Sequence, residues 1–599
     1  MNQWKNWAKA CVMGIAISTA SFINDVHAQE INQLLYEQAS ETSGLVIQYT
    51  QDVRAIQTYY GAGFSGGGRG GAGMGGGAIS PEQNARLVQM DKEYLAKLEK
   101  LDFNRMSVHG QVDYILLKKN INESLRNLQD DAAMYKKVAH FFPFAETIYN
   151  FEQKRRRGTT VNGEEVAKQL HAALQVLDQT TPTIQKLDKM DIETASYAAR
   201  VASGLRSRLT NAFSFYNGYD PLFTWWVPAP YEALNTALSA YEKLLQSKGE
   251  APKVFADGSN IGGKPVGRET LNRLLKEEMV AYTADELLKL AEQEFAWCEA
   301  ELLKASKEMG FGNDWKKAQE KVKNSYVEPG KQPELILKLN DDAINFIAEH
   351  DLMDMPEIAL ETWGMIMMTP ERQLVNPFFT GGREISISYP TNTMSHDQKL
   401  MSMRGNNPYF SRGTVQHELN PGHHLQYHMN SRYKPYRQQV FNTMFSTEGW
   451  TLYWELLLYA KGFPKTPEER IGMLFWRMHR CARITFSIKF HLGEWTPQQC
   501  IDYLVDRVGH EPANAHAEVK RSFESAPPLY QLAYLVGGLQ MYSISKELVE
   551  SGKMTYKEFH DAVIKENHLP MELLRATLKN EKLSKNFESS WKFYQFNKN

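Results

Sequence analysis

"VQHELNPGHHLQ", residues Val415 to Gln426, begins like the H-E-x-x-H signature of zinc peptidases but carries Pro421 where the second histidine belongs. Two histidines, His423 and His424, follow it. On an uninterrupted helix, a histidine four residues after His417 lies about 40° around the axis and one turn along, so both imidazoles can reach one zinc ion. His423 would point about 240° around such a helix, and His424 would sit roughly 10 Å further along it. A regular helix therefore makes no site. Pro421 and Gly422 argue against regularity: proline lacks the N–H that would bond back to the carbonyl of His417, and glycine opens backbone angles closed to other residues. Without these two residues "HELNPGHH" becomes "HELNHH", and the spacing is restored. The expectation is a zinc helix with a two-residue bulge that returns His423 to the second ligand position, with His424 as the fallback ligand.

A catalytic zinc needs a third protein ligand and keeps its fourth position for water or substrate. Downstream, "FSTEGWTLYWELLLYAKG" places Glu448 near the start of an apolar helix, and Glu448 is the expected third ligand. Glu455, two turns later, reads either as a partner of a ligand or as an ordinary surface carboxylate. Glu418, beside His417, would stand over the open position as general base for a metal-bound water. A structural zinc site would be filled by four protein ligands rich in cysteine, and no cysteine lies near the motif.

Around this centre the chain runs to 599 residues, enough for a large core and for several domains. Its 68 lysines and arginines nearly cancel 70 aspartates and glutamates, and no basic face is interleaved with aromatics, so a nucleic-acid partner is not expected. The run "KRRRG", Lys154 to Gly158, reads as a solvated loop. At the start, Lys5 and Lys9 precede an apolar run from Ala10 to Ile23 and then "VHA". That pattern reads as a signal peptide over residues 1–28, cleaved after Ala28. The expected location is exported, periplasmic or extracellular, with no stable membrane insertion after cleavage. Cys11 would leave with the leader, and Cys298, Cys481 and Cys500 are too few and too scattered for a disulfide framework.

Two regions follow the leader. In 29–250, apolar residues recur at three- and four-residue spacing, as in "VDYILLKKNINESLRNL", which predicts antiparallel helices. They are interrupted at 61–80 by "GAGFSGGGRGGAGMGGGAIS", read as a mobile surface loop because so much glycine cannot offset its ordering entropy. It closes with no lysine-serine or lysine-threonine pair, so it is no P-loop. Across "KGEAPKVFADGSNIGGKPVG" the helical pattern resumes for 260–599, where Thr283 and Glu286 form a capping-box signature ahead of an apolar periodic run. The one persuasive strand is "REISISYP", Arg383 to Pro390, with Ile385, Ile387 and Tyr389 alternating with serines. It is expected to hold a substrate backbone as an added strand.

"HELNPGHHLQ", "EGWTLYWE", "HLGEWTPQQCIDYLV" and "PPLYQLAYLVGGLQ" occur in that order, and together they resemble the bacterial family called domain of unknown function 885. "VGRETLNRLLKEEM" and "TADELLKLAEQEF" resemble its preceding helical part. The resemblance implies a branch of the zincin metallopeptidases. The fold would be mainly α, zincin-like of gluzincin type, with a deep cleft and a small β element. It also implies one zinc ion held by two histidines and a glutamate, which fall here on His417, His423 and Glu448, with Glu418 as base.

Under that reading a donor must face the oxyanion that develops on the substrate carbonyl. Tyr534 is the first candidate and His491 the second; Tyr530 shares a helix face with Tyr534 but reads as a core aromatic. Arg483 is a candidate for binding a substrate carboxylate, while His510 and His516 receive no role. The expected function is a secreted zinc peptidase acting on short peptides. Its rivals are a peptide-binding protein that keeps the fold without catalysis, and a zinc hydrolase of small amides or esters.

Overall fold

The structure, a computed structural model, describes residues 38–60, 77–250, 254–373 and 376–596, apart from the side chain of Gln439. The leader at 1–28 and most of the glycine-rich stretch, 61–76, lie outside these residues. The chain divides into two compact units. The smaller takes Ile47–Leu101 and Leu116–Phe255, and the larger takes the remainder, including Asp102–Ile115.

Helix dominates both units, for reasons written in the termini. Ser80 accepts a hydrogen bond from the N–H of Gln83 and starts Pro81–Glu99, with proline at the first position, where its missing N–H costs nothing. In the smaller unit, helices Ala145–Arg156, Gly163–Lys186, Ile192–Tyr216 and Pro228–Ser247 bury one apolar face each into a common core around Leu170, Leu205, Phe223 and Leu238. The glycine-rich stretch is not a loose loop to its end. The N–H of Ala78 donates to the carbonyl of Arg200, and a Cβ on Gly77 would lie 2.1 Å from the Cα of Gly204, so two glycines let the segment press onto the helix. The "KRRRG" reading also needs correction. Lys154 to Arg156 complete a helix, and the buried guanidinium of Arg156 pairs with Glu152 at 2.9 Å and Glu82 at 2.8 Å.

Asp102–Ile115 joins the larger unit because Asp113, fully buried, accepts from the Nε of Arg437 at 2.7 Å and from the hydroxyl of Tyr436 at 2.6 Å. A buried guanidinium without such partners would be untenable. Thr283 and Glu286 form the expected capping box at the start of helix Ala284–Glu308. That helix packs along Pro467–His491, which in turn packs against Pro408–Glu418, while Met444–Ala460 lies along Tyr530–Ser545. The last pair approaches closely because a Cβ on Gly537 would meet the carbonyl oxygen of Phe445 at 2.2 Å and the Cα of Gly449 at 2.9 Å. Cys298, Cys481 and Cys500 are buried free thiols.

The β element is smaller than the sequence suggests. Strands β1 (Gly364–Met367) and β2 (Glu384–Ile387) pair in parallel, with Met365 opposite Ile385. The second edge of β2 is occupied: Ser386 and Thr380 exchange backbone hydrogen bonds at 2.8 and 3.2 Å. With β1 on one side and Thr380 bonded to Ser386 on the other, β2 is paired on both sides at Ser386, where the sequence reading expected an added substrate strand. Among the described residues, no helix is long and apolar enough to cross a membrane.

Candidate metal centre

The helix that carries the motif runs from Pro408 to Glu418 and stops, and a second helix runs from His423 to Asn430. The expected bulge within one helix is instead a break between two. Pro421 forbids continuation, and its carbonyl is anchored by the indole N–H of Trp450 at 2.8 Å. At Gly422 there is no room for a side chain: a Cβ would lie 1.9 Å from the carbonyl oxygen of His417 and 2.4 Å from that of Gln416. The chain doubles back onto its own helix end, which brings the rings of His417 and His423 to 5.0 Å between centres. The two rings are brought together by a tight turn and not by a bulge within one helix.

His424 points elsewhere. Its Nδ1 contacts the carbonyl of Arg383 at 3.1 Å and its Nε2 that of Ala359 at 2.9 Å, so it fixes the second helix to its surroundings.

Glu448 is the fifth residue of helix Met444–Ala460. Its Oε2 lies 3.3 Å from Nε2 of His423 and 3.6 Å from Nε2 of His417. This oxygen is buried and makes no hydrogen bond. Donors held at zinc–ligand distances in a tetrahedron lie about 3.3 Å apart, so the spacing fits a shared ion. A second carboxylate competes for that assignment, since donor atoms of His417, Glu418 and His423 all lie within 4.8 Å of one another. Glu448 is the better ligand because one of its oxygens faces both Nε2 atoms, which leaves Glu418 beside the set. A Cβ on Gly381 would lie 2.3 Å from Oε2 of Glu418, so this glycine makes space for the carboxylate.

Glu455 is no surface residue. It accepts from Nδ1 of His417 at 2.6 Å and from Nη2 of Arg480 at 3.0 Å. Burial opposes charge on His417, but the carboxylates of Glu448 and Glu455 outweigh it and raise the imidazole to about 9. Burial likewise opposes charge on Glu448, yet the facing histidines hold its carboxyl well below the usual range. These are the signs of a pocket arranged for a cation, whether a proton or a metal.

His417, Glu418, His423 and Glu448 line a cavity of about 190 Å³. Tyr534 lines it too, its ring stacked on that of His417 at 6.2 Å and its hydroxyl 2.7 Å from that of Tyr530. Burial, reinforced by the charge of Glu448, pushes the Tyr534 phenol well up, so it stays a proton donor at neutral pH. Tyr530 also lines the cavity, rather than sitting in the core as the sequence suggested. His491 is misplaced in the sequence reading: it ends helix Pro467–His491 against Phe523, outside the cavity, with neither ring nitrogen hydrogen-bonded. Burial drops its pKa to about 4.

Sequence reasoning found Arg483 and missed Arg480, Arg521 and Glu518, which share the same cavity wall. A signal existed. Trp476, Arg480 and Arg483 are spaced four and three apart, which puts them on one helix face. His510 contacts His479, and His516 contacts the carbonyl of Ser259.

The chain belongs to a family of bacterial proteins of unknown function, DUF885, which matches residues 75–578. Its fold is similar to that of a protein of unknown function from Shewanella oneidensis, described as a lipoprotein, with a TM-score of 0.59 at 15% identity over 90% of this chain and 99% of the other. A second protein described as a lipoprotein, from Colwellia psychrerythraea, matches with a TM-score of 0.54 at 17% identity over 90% and 98% of the two chains. No curated protein matches the chain.

Proposed function

We propose that this protein is an exported zinc-dependent hydrolase of peptide bonds in short peptides, with a zincin-like site. The observation that carries the reading is the unpaired, buried Oε2 of Glu448 facing the Nε2 atoms of His417 and His423 at 3.6 and 3.3 Å, beside a second carboxylate. His417, His423 and Glu448 would hold the ion. When bound, zinc supplies Lewis acidity, polarising a carbonyl and acidifying water.

The remaining steps belong to the chain. Glu455, ionised and acceptor-only, keeps the proton of His417 on Nδ1 and turns Nε2 toward Glu448. Glu418 takes a proton from the attacking water and delivers it to the leaving nitrogen. Tyr534 donates its O–H to the oxygen of the carbonyl under attack. The cavity is smaller than the roughly 300–1,000 Å³ that accommodates drug-sized ligands, which favours a short segment of substrate. Export is supported by the leader pattern over 1–28 and by the description of both structural relatives as lipoproteins.

Metal analysis of the purified protein, joined to peptide cleavage before and after chelation, tests this reading. The expectation is bound zinc, cleavage that stops on chelation, and recovery on adding zinc back. A protein that binds no zinc at these residues, or that cleaves equally well without it, contradicts the proposal.

A further inference from the structure

One wall of the cavity carries three arginines, Arg480, Arg483 and Arg521, and the carboxylates bonded to them are Glu455 and Glu518. Arg480 is committed to Glu455. Glu518 is shared, its Oε1 accepting from Nε of Arg483 at 2.7 Å and its Oε2 from Nε of Arg521 at 2.8 Å. His479, 3.6 Å from Glu518, does not compete for that carboxylate, because burial and the neighbouring arginines keep it neutral. Arg483 and Arg521 therefore share one carboxylate. The Arg483 side chain is 3% exposed, and its Nη1 is buried without a hydrogen-bond partner. Such a donor is costly to leave unmet. The group is also held in place, with the Arg483 guanidinium 4.3 Å from the centre of the Tyr534 ring.

We propose that Arg483, supported by Arg521, binds the free C-terminal carboxylate of the substrate, so that the protein releases C-terminal residues from short peptides. This rests on the hydrolase reading above and names its substrate class. A carboxylate is the ligand whose charge and planar pair of acceptors match an unfilled guanidinium edge. Arg483, Arg521 and Glu418 bound one cavity of about 190 Å³, so a carboxylate held at the arginines shares that cavity with the general base. The reaction balances as hydrolysis: one water is consumed, the last C–N bond breaks, a C–O bond forms, and the proton taken from water leaves with the amine of the released amino acid.

The test compares acetyl-dialanine with its C-terminal amide. Binding is measured by calorimetry on zinc-loaded Glu418→Gln, and cleavage on the wild type. The acid should bind at least about tenfold more tightly than the amide. Arg483→Met should abolish that preference, while Arg483→Lys, which keeps a charge for Glu518, should retain part of it at unchanged zinc content. Equal binding of acid and amide overturns the subsite. If both compounds are cleaved at equal rates, the hydrolase reading survives and the subsite falls. If the acid is preferred in binding but neither is cleaved, the subsite survives and the hydrolase reading falls.

Discussion

Glu455 accepts a hydrogen bond of 2.6 Å from Nδ1 of His417, a residue 38 positions earlier in the chain. Both side chains are buried, and Arg480 donates to the same carboxylate oxygen, Oε1, at 3.0 Å. Because an ionised carboxylate only accepts, this contact fixes the imidazole tautomer and the direction of Nε2. Glu455→Gln keeps the shape but not the charge. It should lower zinc affinity by about 10–100-fold, measured by competition with a chromogenic chelator.

The two adjacent histidines of the motif should separate cleanly. His423→Ala removes the ring that faces Glu448 at 3.3 Å and should cost the protein most of its bound zinc. His424→Ala removes a ring bonded to two backbone carbonyls and should leave zinc content unchanged while lowering thermal stability. Metal analysis of both variants, with melting curves, checks the assignment.

Gly422 is where the chain doubles back, and a methyl there would sit 1.9 Å from the carbonyl oxygen of His417. Neither neighbour is a flexible side-chain end, so the turn itself must move. Gly422→Ala should destabilise the protein by about 2–4 kcal/mol in urea unfolding and reduce zinc binding in the fraction that folds.

His491 supplies a pH prediction. Its folded pKa is depressed to about 4 by burial, whereas an exposed histidine titrates near 6.5. Below pH 6.5 the unfolded chain takes up a proton that the folded chain refuses, so stability present above 6.5 is lost as pH falls toward 4. The slope is up to about 1.4 kcal/mol per pH unit for this one group. His491→Leu should flatten the stability profile over that window. Because His491 lies outside the cavity, the same variant should keep full activity, whereas Tyr534→Phe should not.

How much of the site could be read in advance follows from what kind of information each residue carries. That His417, Glu418, His423 and Glu448 share one cavity was legible from the motif and the glutamate that follows it, and Pro421–Gly422 marked where regular helical spacing had to fail. The form of that failure, two helices and a turn, depends on Trp450, 29 residues away, holding the carbonyl of Pro421. Arg480, Arg521 and Glu518 were missed because an arginine on a helix looks the same whether it faces solvent or a cavity. Only the packing of three helices decides. The same limit explains Asp113, whose partner Arg437 lies 324 residues on, and His491, buried by a phenylalanine from a later helix. Helical periodicity made the mainly helical character of the chain legible, while the short β2 was overread because its alternating pattern runs on past the four residues that pair.

The most direct test of the central claim is Glu418→Gln, assayed for zinc content and for cleavage of a mixed-length peptide library by mass spectrometry. Glu418 stands beside the ligand set without being needed in it, so the variant should retain one zinc per chain and lose turnover by at least about a hundredfold. Cleavage at the wild-type rate with zinc in place would contradict the account.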